Sequence, residues 1–272
     1  MDIKELIQNC QLAEARVQVV EGLKKNPADM GLRTTLMQIL CFLREWDKAE
    51  KHLNTLLSQD ETIQGGVQQY KTLLQAERER EQVAKFAQPP IFLPKSSSSA
   101  KLCLQGRELY ASGDKDGALA VLEQLREELA QLTGTLNGEP FTGFEDIDSF
   151  QGGFLEAVVY DQYVWIPFTA IRELIIEPPT GLGDLFWISA NITTWDDLSI
   201  NAFLPVLYPT ACEDDEQVQI GRITKWNIID DSFLQGSGQH LYAGGDNDRG
   251  ILEIRELNFN YRSTEVNNGT NN

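Results

Sequence analysis

Histidine is almost missing from this chain: His52 and His240 are the 2 in 272 residues. His52 lies in a helical pattern beside Lys51 with no nucleophile motif near it, and reads as an exposed helix residue. His240 has no cysteine or histidine at metal-ligand spacing, so no zinc site is expected. Cysteine is scarce as well. Cys10, Cys41, Cys103 and Cys212 stand far apart with no C-x-x-C pair, and three of them fall on predicted apolar helix faces, as buried thiols of a reducing compartment do. No apolar run approaches the roughly 20 residues that cross a bilayer, and Met1-Asp2-Ile3-Lys4-Glu5 has neither the basic start nor the apolar middle of a secretory signal. Positive charge is also short: 23 Lys and Arg face 41 Asp and Glu, a formal net charge of −18 at pH 7. That field repels phosphate backbones and anionic headgroups, so neither nucleic acid nor membrane is an expected partner. The expected location is the cytoplasm.

What is present changes character near Gly134. Three parts are expected: a tetratricopeptide-like helical domain over residues 1–133, a strand-rich domain over 134–262, and a polar tail over 263–272. In the first part Leu32, Leu36, Ile39, Leu40 and Leu43 recur at helical spacing. After a break at Arg44-Glu45-Trp46-Asp47, a second stripe follows at Ala49, Leu53, Leu56 and Leu57. Ala15, Val19, Leu23 and Asn26 superpose on Ala49, Leu53, Leu57 and Asp60 at an offset of 34 residues, the tetratricopeptide period. Leu109 to Ala118 repeats the plan of Leu40 to Ala49. Between these units Gln64 to Lys85 reads as a longer helix ending in Glu77-Arg78-Glu79-Arg80-Glu81. Prolines 89, 90 and 94 and four serines after Lys95 read as a flexible connection. Stacked helix pairs leave a concave surface suited to a peptide or helix, unless they pack only onto the C-terminal half.

From Phe141 the helical period fades into short aromatic and β-branched runs. Val158–Tyr160, Tyr163–Ile166, Leu174–Ile176, Val218–Ile220 and Ile251–Ile254 are expected strands, with hairpin connections at Asp161-Gln162 and Gly244–Asp248. The fold class is α+β. Six motifs occur in order: Asp146-Ile147-Asp148-Ser149, Phe154-Leu155-Glu156-Ala157, Tyr163 to Phe168, Asp184-Leu185-Phe186-Trp187, Leu204 to Pro209 and Gly221 to Trp226. Together they give a chain that resembles the ImpE/TagJ (SciE-type) family of type VI secretion accessory proteins. The resemblance implies an adaptor that binds the N-terminal helix of the small contractile-sheath subunit (TssB/VipA type), linked indirectly to the ClpV-type recycling ATPase. The loop Ser149–Gly153 departs from the family pattern, which leads one to expect a basic residue after the acidic pair.

Catalytic chemistry is poorly represented. Gly236-Ser237-Gly238 lacks the rest of a nucleophile elbow. Asp246 to Gly250 starts like a calcium loop, but the twelfth position is Leu257 instead of glutamate. Glu145, Asp146, Asp148, Asp184 and Asp196-Asp197 supply the carboxylates of an alternative reading, a hydrolase in the C-terminal half; turn caps and pairs with Arg172 and Arg222 explain them more simply. No catalytic, cofactor-binding or metal-binding residue is therefore assigned, and the chain reads as a non-enzyme. Trp165, Pro167, Asp184, Trp187, Tyr208, Arg222 and Trp226 are the candidate partner-binding residues, with Arg222 placed over Trp226 or Trp187. Glu213 to Glu216 is a candidate contact for a basic partner.

Overall fold

Local capping sets the helix starts. Asp29 accepts from Leu32 N at 2.9 Å, Ser97 from Ala100 N at 3.0 Å and Asp114 from Gly117 N at 3.0 Å, each satisfying an otherwise orphaned first-turn donor. The computed structural model describes residues 2–210 and 215–260. Its first half is α1 (Ile3–Gln8), α2 (Leu12–Lys25), α3 (Met30–Phe42), α4 (Trp46–Gln59), α5 (Gln64–Ala84), α6 (Ser98–Ala111) and α7 (Lys115–Leu129). The helices α2 and α4 are both 14 residues long and begin at the sequence offset expected of the repeat. Ala15 and Ala49, at matching places in them, are both fully buried where neighbouring helices close up. No helix among the described residues is long and apolar enough to cross a membrane.

The second half contains β1 (Thr133–Leu136), β2 (Glu139–Thr142), β3 (Phe144–Asp146), β4 (Phe154–Val159), β5 (Gln162–Pro167), β6 (Ile171–Ile176), β7 (Trp187–Thr194) and β8 (Ser199–Pro205). It continues with α8 (Glu216–Gln219), β9 (Lys225–Ile229), β10 (Phe233–Ser237), β11 (Leu241–Gly244), β12 (Asn247–Gly250) and β13 (Glu256–Phe259). Eight strands make an antiparallel sheet in the order β2-β1-β13-β6-β7-β8-β4-β5, beside a β9–β10 hairpin and a three-stranded sheet β12-β11-β3. The α+β class is borne out: helices first, then a strand-rich antiparallel half.

Several sequence expectations are corrected. Val218–Ile220 is not a strand. Asp215 accepts from Gln217 N at 2.9 Å and starts the short helix α8, which buries Val218 and Ile220. The expected strand Ile251–Ile254 is instead a 3-10 turn, Ile251–Glu253, capped by Ile254; Ile251 and Ile254 are both buried, and Glu253 accepts from Gly250 N at 2.9 Å. The proline and serine stretch is built into the fold instead of being a loose connection. Trp165 N donates to Ile91 O at 2.8 Å and Leu93 N to Trp165 O at 3.0 Å, which covers the β5 edge, and Ser98 and Ser99 open α6. Cys10 sits in the turn after α1 with φ 59° instead of on a helix face, while Cys41 and Cys103 are buried in helices. Cys212, Glu213, Asp214 and the tail from 261 lie outside the described residues.

One cluster of buried apolar side chains runs from Leu6 in α1 to Phe259 in β13, so helices and sheet share a core. Phe186, just before β7, packs edge-on against Phe42 of α3 and Trp46 of α4, at 5.2 and 6.0 Å between ring centroids. Trp187 meets Tyr70 of α5 at 6.0 Å. The apolar sides of α3, α4 and α5 are thus occupied by the chain's own sheet, the plainer of the two sequence alternatives for the repeats.

Candidate functional site: a sealed charged hub and an open apolar groove

The charged end of α5 does not face water throughout. Glu77 and Arg80, one turn apart, continue the stripe of Leu73, Leu74, Ala76 and Val83, and both are buried, at 1% and 2% exposure. Arg80 forms a fork with Glu156 of β4, Nε to Oε1 at 3.0 Å and Nη2 to Oε2 at 2.5 Å. Arg80 Nη2 also donates to Leu207 O at 2.6 Å, and Nη1 donates to Glu77 Oε2 at 3.3 Å. Trp187 Nε1 donates to the other oxygen of Glu77 at 3.0 Å. Tyr163 Oη donates to Glu156, and Trp165 Nε1 donates to Tyr163 Oη at 2.5 Å.

His240 lies between two acids. Its Nδ1 is 2.7 Å from Asp146 Oδ2 and its Nε2 is 3.1 Å from Glu156 Oε2, with Arg80 Nη2 at 3.0 Å from the same Nε2. Tyr208 Oη donates to Asp146 Oδ1 at 2.7 Å. Asp148 accepts backbone N–H bonds from Phe150 and Gly236, both at 3.0 Å. Burial alone would lower the His240 pKa, but the Asp146 carboxylate, helped by Glu156, holds it above the ordinary imidazole value. Burial would likewise raise Glu156, yet the Arg80 charge holds it far below the usual carboxylate range. Burial, reinforced by the charge of Asp146, pushes Asp148 up to about 7. Arg107 of α6 completes the set: its guanidinium lies over Phe86 at 4.3 Å and Trp165 at 5.5 Å and donates to Val83 O. Arg80 and His240 are thereby set among the acids Glu77, Glu156 and Asp146, with Arg107 beside them.

The arrangement braces α5 and α6 to the sheet. Both ring nitrogens of His240 are engaged, and the adjoining cavity, lined by Arg80, Arg107, Asp148, Gln151 and Glu156, holds about 20 Å³, the size of a water site. Gln151 Oε1 in its lining is buried without a hydrogen-bond partner, the place where a water would bond. The hydrolase carboxylates do not converge on a cleft. Asp146 and Asp148 are sealed in this hub, Glu145 pairs with Arg126 at 3.1 Å, and Asp184 belongs to a different loop. No group of three or more potential metal ligands gathers among the described residues.

Of the candidate partner-binding residues, Trp165, Pro167, Trp187 and Tyr208 are buried, three of them hydrogen-bonding within the hub. Arg222 is exposed, and Trp226 is half-buried with its ring 5.5 Å from that of Tyr208. The cation over a tryptophan is Arg107 over Trp165, in place of Arg222 over Trp226 or Trp187. Asp184 is half-buried and ties its loop together: its Oδ2 accepts from Thr180 N at 2.7 Å, Thr180 Oγ1 at 2.8 Å and Gly181 N at 2.9 Å. In the acidic run, Asp215 pairs with Lys225 at 2.8 Å and Glu216 accepts from Ala13 N at 2.8 Å, so both serve contacts within the chain. His52 is half-buried instead of exposed, with Nδ1 3.4 Å from Arg33 Nη1.

The loop that Asp184 fixes forms one wall of an open cavity. Ile3 and Ile7 of α1, Leu32 and Thr35 of α3, and Leu182 and Leu185 of the loop enclose a groove of about 590 Å³, open along one side. Gly183 backs this wall against α3 and α5; a Cβ there would lie 2.8 Å from Tyr70 Oη and 3.0 Å from Gln38 Nε2. Sequence reading did not single out this groove, because its lining comes from two separate helices and a loop about 140 residues further on.

Residues 138–258 match the family model described as ImpE protein. The chain is 29% identical over 260 residues to a Pseudomonas aeruginosa protein named type VI secretion system accessory component TagJ, covering 95% of this chain and 91% of that protein. A crystal structure of a Vibrio parahaemolyticus protein shares the fold with a TM-score of 0.83 at 20% identity, over 96% of this chain and 98% of that one. The ImpE/TagJ resemblance carried by the six motifs is thus borne out.

Proposed function

We propose that this chain is a non-enzymatic accessory of a type VI secretion system, acting in the cytoplasm as an adaptor that captures the N-terminal helix of the small contractile-sheath subunit. Its connection to the ClpV-type ATPase runs through that subunit. The observation that carries the reading is the contrast in access. The groups able to move a proton, His240, Asp146, Asp148 and Glu156, are closed off from substrate, whereas the groove of about 590 Å³ is open and apolar. Likeness to the accessory component TagJ along nearly the whole chain supports the same direction. Neither nucleic acid nor membrane enters the reading, given the acidic excess.

The test is a calorimetric titration of the full chain with a peptide spanning the N-terminal helix of the cognate sheath subunit. The whole chain is needed because helices and sheet share one core. Saturable binding at about 1:1 is expected, with a dissociation constant on the order of micromolar. A soluble, helix-competent peptide that gives no heat and no spectroscopic change would remove the adaptor reading.

A further inference from the structure

We infer that the cavity between α2, the α3–α4 turn, residues 207–210 and α8 is a binding site for a small organic acid, a single carboxylate carried on an apolar body. It holds about 350 Å³, near the lower end of the range of roughly 300–1,000 Å³ that ligand pockets occupy. Phe42, Leu43, Leu207 and Val218 give it apolar walls, and Arg16 and Arg44 bring guanidinium groups to it. Neither the hub nor the adaptor reading uses this cavity.

Arg44 stands where glycine is the ordinary choice. Its N donates to Cys41 O and Glu45 N donates to Leu40 O, both at 2.9 Å, with φ 55° at Arg44. The α6–α7 turn closes with the same two bonds, Gly113 N to Tyr110 O at 3.0 Å and Asp114 N to Leu109 O at 2.9 Å, and there the left-handed residue is Gly113 at φ 91°. A side chain in that conformation costs free energy that glycine avoids. Phe86, left-handed at the end of α5, sets its ring against Tyr110 and Phe150, whereas Arg44 brings a charge to the cavity. That charge is under-matched within the chain. The side chain is 18% exposed, and its hydrogen bond among the described residues runs from Nη2 to Tyr208 O at 2.8 Å. Glu81 Oε1 lies 3.6 Å from Nη1 but already accepts from Trp46 Nε1 at 2.9 Å. Burial works against the charge of both Arg80 and Arg44. At Arg80 the acids Glu156 and Glu77 overcome it, whereas at Arg44 burial prevails and lowers the pKa in spite of Glu77 and Glu81. Glu45, the acid in the lining, is matched by Arg16 through both carboxylate oxygens, at 2.6 and 3.3 Å, and by Lys48. The cavity is thus left with one cation in excess, the complement of one carboxylate. Glu45 and Glu81 beside it repel a second negative charge, which separates a carboxylate from a phosphate ester.

The experiment is a calorimetric titration of the full chain with phenylpropionate, which joins one carboxylate to an aromatic body, alongside the neutral phenylpropionamide and the dianionic phenyl phosphate. Expected for phenylpropionate is saturable binding at about 1:1 with a dissociation constant on the order of 100 µM. The amide should bind about tenfold more weakly or worse, for want of the charge that Arg44 receives. Arg44→Gly gives the turn the residue of its α6–α7 counterpart and should lower the affinity for phenylpropionate about tenfold or more. Thr210→Trp fills the cavity without removing a charge and should lower it as far. Ile228→Thr, on β9, 68% exposed and outside the lining, should leave it unchanged. Thermal melts show which variants are folded; should Arg44→Gly fail to fold, Thr210→Trp decides. Equal binding of acid and amide, an unmoved affinity in the folded cavity variants, or tighter binding of phenyl phosphate than of phenylpropionate would each overturn the inference. So would the absence of saturable heat from phenylpropionate up to about 10 mM. None of these outcomes bears on the adaptor reading, which the sheath-helix titration tests separately.

Discussion

The hub and the groove invert the ordinary distribution of side chains. At the hub, Arg80, His240 and four carboxylic acids lie inside; at the groove, isoleucines and leucines stay half-buried along an open cavity. A buried ion pair adds little net stability over a well-packed apolar substitute, because each charge loses its water, but it tolerates few alternative arrangements. The hub therefore specifies how the helices meet the sheet. The groove has the opposite economy, since exposed apolar surface remains unfavourable until something covers it.

The sharpest way to break that contrast is to remove the central cation. Arg80→Met leaves Glu77 and Glu156 buried without the guanidinium that neutralises both, and should lower unfolding free energy by about 3–5 kcal/mol in urea denaturation. Arg80→Lys should recover only part of this, because an ammonium cannot form the two-pronged contact with Glu156. A loss below about 1 kcal/mol in Arg80→Met would mean that the hub braces nothing.

A smaller effect should appear on changing pH. Asp148 is pushed from 3.8 to about 7 on folding, so between those values the folded chain holds the extra proton and stability falls as pH rises. His240 is held above its unfolded value of 6.5; its contribution is complete below that pH and is lost as pH rises through the folded value. Both slopes have the same sign, and the chain should be roughly 2–4 kcal/mol more stable at pH 5 than at pH 8. Glu156 works at the other end: its depressed pKa gives stability that is present above the unfolded carboxylate range and is lost as pH falls through the folded value. Asp148→Asn should flatten the fall between pH 4 and 7 and leave the His240 portion above it. An equal slope in the variant would take Asp148 out of the account.

These two regions also differ in how much of them the sequence discloses. The helix pairs were legible because their information is local: alanine and leucine at helical spacing, repeated at a fixed offset, with caps at the ends. Strands β4 to β6 were legible for the same reason. Val218–Ile220 and Ile251–Ile254 misled because three or four apolar residues do not distinguish an alternation of two from a spacing of three, and the caps Asp215 and Glu253 decided the matter. The hub was hidden by distance along the chain, with Arg80 bonded to Glu156 76 residues away and to His240 at a separation of 160. One signal was available: within Glu77 to Glu81, residues 77 and 80 fall on the face that Leu73, Leu74 and Val83 define, whereas 78 and 79 do not. The groove left no signal, since a half-exposed leucine reads like any surface leucine.

The smallest expected effect separates the two regions most cleanly. Thr35 is half-buried on α3, and its hydroxyl is engaged only with Gly31 O of its own helix, at 3.0 Å. Replacing it by lysine removes that local bond but supplies a better helix former, so the change in unfolding free energy should stay within about 0.5 kcal/mol. The same long cation would crowd the groove that Thr35 lines and bring a charge into it. A variant that unfolds with its parent yet no longer takes the peptide would show that the groove contributes to binding and almost nothing to folding. The hub variants should behave the other way, losing stability while the fraction that remains folded still binds with parental affinity. If Thr35→Lys instead destabilised the chain by 2 kcal/mol or more, the groove would be part of the core, and the division between a region that fixes the fold and a region that waits for a partner would fail.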